Sequence, residues 1–326
     1  MKAILIDKPG NEDVLKLGDF ADPRPAPTEL LIEVRCAGIN RADLMQRQGF
    51  YPPPSGASPI LGLECAGVVV AAGSEAKGWR EGDRAMALLP GGGYAEKAVA
   101  DYRSAIHTPA ALSDAEAAAV PEVYLTAFLN LFMLAEVKTG DAVLIHGGGS
   151  GVGTASIQLL NLAGARSIVT AGSAAKCEQC LKFGADVAIN YNSAPFAPQV
   201  KAATNEHGAD VILDSIGAAY LMPNIEALAH GGRLVLIGLM QGAKSEIDLS
   251  LVLRRHLRIF GSTLRTRSVA EKAQIVSAFL ARFSQQLEGG AVRPPIYRTV
   301  PLADASKAHR MMQASEHFGK IVLQVS

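Results

Sequence analysis

Residues 147–153 read GGGSGVG, and the spacing of small residues in that run suits one kind of chemistry above others. Seating a pyrophosphate against the first turn of a helix makes three demands: a residue tolerant of unusual dihedrals, no bulk at the closest approach, and a small residue where helix meets strand. Gly148, Ser150 and Gly153 fall at those three places. Ser150 stands where the G-x-G-x-x-G pattern has its second glycine, so the strict motif is broken. Gly151 follows directly, and a serine hydroxyl can itself donate to a phosphate. A helix beginning near Val152 then offers unpaired N–H groups and the positive end of its dipole to an anion.

The next informative positions lie about 20 residues further on, where a dinucleotide site that takes NAD places an Asp or Glu against the ribose hydroxyls. Here Thr170 is followed by Ala171, Gly172 and Ser173, with Lys176 one turn later. There is no acid to repel a 2′-phosphate, and a hydroxyl and a lysine suit one. The expected cofactor is therefore NADPH rather than NADH.

Such residues need a strand, a turn, a helix and a second strand to hold them, and the chain supplies that order. AVLIH from Ala142 is a buried strand, TASIQLLNLAGA an amphipathic helix, and RSIVT a second strand. Strand and helix patterns keep alternating through DVAIN, ADVILDSIG, GGRLVLIGLM and RIFGST. That alternation predicts an α/β fold with a doubly wound parallel sheet whose carboxyl edge, including 214–217 and 238–240, carries the ligand.

Met1 to about Val120 reads differently. KAILI, LLIEVRCAG, ECAGVVVAAG, DRAMALL and YAEKAVA are short strands between turn signals, as in a small barrel or sandwich. Within this region the polar segment 40–54, NRADLMQRQGFYPPP, reads as a short helix and a proline-stiffened loop, a natural place for binding groups. From Ala115 the pattern turns helical, with an interruption at Pro121. A last helix around 303–315 and the strand GKIVLQV complete the pattern.

The 326 residues, 49% of them hydrophobic, suffice for two cores. With 31 basic and 31 acidic residues the net charge is zero, so no general attraction to nucleic acid or anionic membranes is expected. The N-terminus lacks a signal-peptide pattern, and no apolar run reaches the roughly 18 residues of a membrane span, so a soluble cytoplasmic protein is expected. Cys36 shares a strand face with Leu30, Ile32 and Val34 and belongs to a core. Cys177 and Cys180 form a C-x-x-C on a helix with no second pair nearby, which disfavours zinc.

Taken together, NRADLMQRQG, PILGLE, AMALLPGGG, LTAF, SGVGTA, VTAGS and GKIVL make the chain resemble the quinone oxidoreductase branch of the medium-chain dehydrogenase/reductase superfamily, nearest its zeta-crystallin-like members. The resemblance runs end to end. It implies a GroES-like catalytic domain from 1–121 and 266–326, around a Rossmann NADPH-binding domain at 122–265, with the active site in the cleft between them. Zinc alcohol dehydrogenases of this superfamily carry a Gly-His-Glu motif and a ligand Cys. Here the positions read Gly62-Leu63-Glu64 and Asn40, so zinc catalysis is not expected and Glu64 should be buried and paired.

The resemblance also implies site residues. Asn40 and Tyr51 should face nicotinamide and acceptor, with Asn40 orienting by hydrogen bond and Tyr51 packing on the ring or donating to its oxygen. Thr126 should meet the nicotinamide side. Ser150, Gly151, Val152 and Gly153 should meet the pyrophosphate, and Gly172, Ser173, Lys176 and Tyr191 the 2′-phosphate end. Gly238, Leu239, Met240, Ser262, Leu264 and Lys320 should close over the cofactor. The implied reaction is metal-free reduction of a quinone by NADPH in a homodimer or homotetramer. Reduction of an enoyl or alkenal C=C bond is the nearest alternative. A zeta-crystallin-like binding or structural role is another, although the chain lacks interleaved aromatic and basic residues for RNA.

Overall fold

The strand Glu29–Gly38 shows how the sequence pattern becomes structure. Leu30, Ile32, Val34 and Cys36 alternate into the core while Leu31, Glu33 and Arg35 face outward. Around it the computed structural model, which describes residues 1–325, builds a seven-stranded sheet. Glu29–Gly38 pairs antiparallel with Glu64–Ala72, with Lys97–Asp101 and with the last strand, Lys320–Gln324. Ile296–Pro301 runs parallel to that last strand at the edge. The core beneath is aliphatic, with Ile4, Leu61, Val69 and Leu323 among its buried members.

This sheet belongs to a unit made from Met1–Leu125 and the segment from Leu264 onward; Thr126–Thr263 forms a second unit. In the second, six parallel strands take the spatial order Val187–Asn190, Arg166–Ala171, Ala142–His146, Ala209–Asp214, Leu228–Leu236 and Arg258–Gly261. The order runs outward in both directions from Ala142–His146, so the sheet is doubly wound, with its switch point between Ala142–His146 and Ala209–Asp214. Its core includes Leu144, Ile168, Ile189, Phe196 and Ile212.

Two of the elements outside the sequence-based expectation, which also include the strands Lys16–Asp19 and Ala105–His107, lie in the last part of the chain. One is the strand Ile296–Pro301. The other is the 20-residue helix Val269–Glu288, opened by Ser268, whose hydroxyl accepts from Glu271 N–H while the Glu271 carboxylate accepts from Ser268 N–H. The expected helix through Pro121 is divided into Asp114–Ala117, Pro121–Phe128 and a wide π-helical turn, Leu129–Leu134. Among the described residues no helix is long and apolar enough to cross a membrane.

Candidate active site

In the Thr126–Thr263 unit the glycine turn leaves the carboxyl end of Ala142–His146 and enters the helix Gly151–Ala163, one residue earlier than the sequence suggests. Ser150 is the helix cap, and its hydroxyl accepts from Gly153 N–H at 3.0 Å. The Gly151 and Val152 N–H groups lie ahead of the first intrahelical bonds and point out of the helix end. The small residues are sterically required. A Cβ on Gly153 would lie 2.3 Å from the Gly147 carbonyl oxygen, and one on Gly148 would lie 2.6 Å from the Val169 side chain. Cys180 packs beneath the turn, and burial pushes its thiol up to about 12.

The next strand ends at Gly172 and Ser173, and the Ser173 hydroxyl accepts from Lys176 N–H at 3.2 Å to start another helix. Tyr191 crosses over Gly172 so closely that a Cβ there would meet its hydroxyl at 2.6 Å. Gly172, Ser173, Lys176 and Tyr191 are thus brought together, with no carboxylate at the strand end. Gly238, Leu239 and Met240 follow strand Leu228–Leu236, and Met240 N–H donates to Ser215 O at 3.2 Å. Ser262 hangs from Leu236 O by its N–H, and its hydroxyl is buried without a partner. Thr126 is half-buried, with its carbonyl taken by Asn130, and Leu264 is buried.

A polar chain that sequence reasoning missed steadies this edge. Asn224 Nδ2 donates to Asp214, so its Oδ1 accepts from His146 Nε2–H at 2.7 Å. His146 Nδ1 is then an acceptor for the Thr170 hydroxyl at 3.1 Å, and Thr170 Oγ1 accepts from Gly147 N–H at 3.3 Å. Burial holds the imidazole neutral, with its pKa lowered to about 4, as this one-directional chain requires.

In the other unit Asn40 opens the short helix Arg41–Arg47, and its backbone N–H donates to Asp43 at 2.8 Å. Its carboxamide is fixed by two opposite partners. Lys320, a pure donor, meets Oδ1 at 2.7 Å, and Glu64, a pure acceptor, takes Nδ2–H at 2.9 Å. The second amide hydrogen of Asn40 is engaged by neither partner. Glu64 is fully buried, and its second oxygen accepts from Glu122 N–H at 2.8 Å.

Lys320, expected to close over the cofactor, is 2% exposed, and its three ammonium hydrogens go to Ile39 O, Asn40 Oδ1 and Glu64 Oε1. None is left for a phosphate.

Behind Asn40 a second directed chain runs from Arg47 to His309, Tyr94 and Asp43. Arg47 can only donate, so His309 Nδ1 accepts, His309 Nε2–H donates to the Tyr94 oxygen, and the Tyr94 hydroxyl donates to Asp43. Burial lowers His309 to about 3 and raises Asp43 to about 6. Tyr51 lies beneath the Arg265 guanidinium, whose carbon is 5.2 Å from the ring centroid. Arg265 also donates to Tyr51 O, Pro90 O and Gln46 Oε1, and Lys272 donates to Arg265 O at 2.9 Å. Arg265 and Lys272 thus fix the loop bearing Tyr51, a role their place in the sequence did not suggest.

Two family models match: the alcohol dehydrogenase GroES-like domain over residues 26–110 and zinc-binding dehydrogenase over residues 151–282. Among solved structures, an NAD-dependent alcohol dehydrogenase is 32% identical with TM-score 0.89, and each chain is covered completely. The Escherichia coli quinone oxidoreductase complexed with NADPH is 30% identical at the same TM-score, also over the whole of both chains. The chain belongs to the medium-chain dehydrogenase/reductase superfamily. The CurK enoyl reductase is 26% identical with TM-score 0.88 over 100% of this chain and 99% of that one. A Mycobacterium tuberculosis mycocerosic acid synthase-like polyketide synthase is 35% identical over 98% of this chain, which spans 15% of that protein's length.

The zinc in the second model's name does not fit the residues present. Leu63 has no donor atom, and Asn40 and Glu64 already share the Lys320 ammonium, which would repel a second cation. Among the described residues no group of three His, Cys, Asp or Glu converges to hold a metal. A dinucleotide does fit the chemistry of the glycine turn, whose capped helix end presents the Gly151 and Val152 N–H groups and carries no side chain at Gly151 or Gly153.

Proposed function

We propose that the chain is an NADPH-dependent quinone oxidoreductase that works without a metal. The observation that carries this reading is the Asn40 carboxamide, oriented by Lys320 and Glu64 where the zinc-dependent relatives need a ligand. Gly151, Val152 and Gly153 would hold the pyrophosphate, and Ser173, Lys176 and Tyr191 the 2′-phosphate. The bound nicotinamide supplies a hydride. A quinone is a strong electrophile, so the protein need only orient it and stabilise charge on its oxygen. Asn40 has the free N–H for that oxygen. Tyr51, pinned by Arg265, walls the ring, and burial keeps its phenol protonated. The likeness to the Escherichia coli quinone oxidoreductase supports this acceptor.

The likeness to the CurK enoyl reductase and to polyketide synthases favours a second reading, reduction of a C=C bond conjugated to a carbonyl. The test is a fluorescence titration with NADPH and NADH, then steady-state turnover with a quinone and an enone. Tighter NADPH binding and a higher kcat/KM for the quinone are expected. A much higher value for the enone would select the second reading, and no binding of either nucleotide would remove both.

A further inference from the structure

Glu122 is tied through its backbone to Glu64, the residue that holds Asn40. It occupies the first turn of helix Pro121–Phe128, and its N–H donates to the same Glu64 carboxylate that holds Asn40. Its own Oε2 is closed to solvent and has no hydrogen-bond partner. Glu64 and Asp43 face it as like charges, and Lys320 and Lys272 as opposite ones. Its charge in turn reaches Tyr51 and Arg265. An ionised carboxylate with an orphaned oxygen beside Glu64 is costly; the neutral acid is far less so. Burial first, then Glu64, pushes this carboxyl up to about 8, so at neutral pH it carries its proton.

We propose that the Glu122 side chain is the proton donor of the reduction. This rests on the metal-free NADPH reduction argued above. The quinone takes a hydride, two electrons and one proton, and is left with a negative charge on oxygen. The Glu122 O–H bond then breaks and an O–H bond forms on the acceptor. The new carboxylate faces the Lys272 and Lys320 ammonium groups and regains its proton from water before the next cycle. With an enone the same proton goes to carbon. The other acids nearby serve less well. Tyr51 is pushed above its ordinary value by burial and by Glu122 itself, and the Lys320 hydrogens are all engaged. Lys272 donates one hydrogen to Arg265 O and is the remaining competitor.

The experiment compares the full-length wild type with Glu122→Gln and Glu122→Asp, following quinone-dependent NADPH oxidation from pH 5 to 10 and NADPH affinity by fluorescence. Gln is isosteric with a protonated Glu, so the fold and the NADPH Kd should be unchanged. General acid catalysis contributes about 10²- to 10⁴-fold, so kcat should fall by that amount in Glu122→Gln, with part recovered in Glu122→Asp. The wild-type kcat should decline above about pH 8, and that limb should vanish in Glu122→Gln. A Glu122→Gln enzyme that keeps kcat within a few-fold, with the wild-type pH profile, as Lys272 or water as donor would give, overturns the proposal alone. A wild type that binds NADPH but reduces neither quinone nor enone overturns the reaction itself and this role with it.

Discussion

An ammonium group has three hydrogens, and at Lys320 their partners are Ile39 O, Asn40 Oδ1 and Glu64 Oε1, all away from water. Removing one member of a buried ion pair leaves the other charge uncompensated, which costs ~3–5 kcal/mol. Lys320→Met should therefore lower unfolding stability in urea by that order and free the Asn40 amide to rotate. A loss below about 1 kcal/mol would show that the pair contributes no more than one at the surface. Glu64 was legible in sequence as buried and paired, because the motif around it lacks metal ligands. Its partner was not, since Lys320 stands 256 positions away and nothing local marks it. Glu122 was hidden differently: an acid after Pro121 reads as an ordinary complement to the helix dipole. Its raised pKa gives a second test, on stability. Below its ordinary value of 4.5 the acid is protonated in both folded and unfolded chains. Between 4.5 and about 8 only the unfolded chain releases the proton, so stability falls as pH rises; above 8 this loss is complete. Glu122→Gln has no proton to lose. Its melting temperature relative to wild type should rise steadily across that window, and a constant difference would contradict the assigned burial.

At the scale of elements, the turn from Ala142–His146 into Gly151–Ala163 was the most legible part of the chain. Strand period, glycine spacing and the helical pattern that follows all point to one local structure. The Gly153 contact makes it testable. A methyl group 2.3 Å from the Gly147 carbonyl oxygen must push the turn off the helix end. Gly153→Ala should weaken NADPH binding by roughly tenfold or more, about 1.4 kcal/mol, in a fluorescence titration. Unchanged affinity would mean that the pyrophosphate does not rest there. The chain from Asp214 through Asn224, His146 and Thr170 to Gly147 escaped notice because its members come from separate strands and a helix, each reading as core or cap by itself. The helix Val269–Glu288 did carry a signal. Ser268 and Glu271 form a capping box, and buried Ile275, Val276, Phe279, Phe283 and Leu287 follow at helical spacing. Pro294, Pro295 and Pro301 masked the strand Ile296–Pro301, whose parallel pairing comes only from the chain's last strand.

For the molecule as a whole, the informative pairing is non-local: Lys320–Gln324 joins Glu29–Gly38 and brings Lys320 from the far end of the chain to Glu64. No periodicity within one segment encodes such a junction, and it was accessible in sequence only through resemblance to a family. The same resemblance implies a homodimer joined through the Rossmann unit, and the free edge of its sheet supports that proposal. Arg258–Gly261 pairs on one side with Leu228–Leu236 and ends the sheet order on the other. Unpaired strand edges invite pairing with another chain. The preceding helix, Leu249–Arg254, exposes Leu249 at 68% and Leu253 at 76%, and Leu239 and Met240 are more than half exposed. Large exposed leucines beside an open edge fit a surface that a second copy covers. Light scattering on the eluting protein should give twice the 34.2 kDa chain mass at micromolar concentration. Leu249→Glu with Leu253→Glu would bury four like charges across a two-fold interface, so this variant should elute as a monomer while still binding NADPH. A wild type at 34.2 kDa would remove the dimer and leave those leucines in need of another partner. A mutant that stayed dimeric would move the interface to a different face.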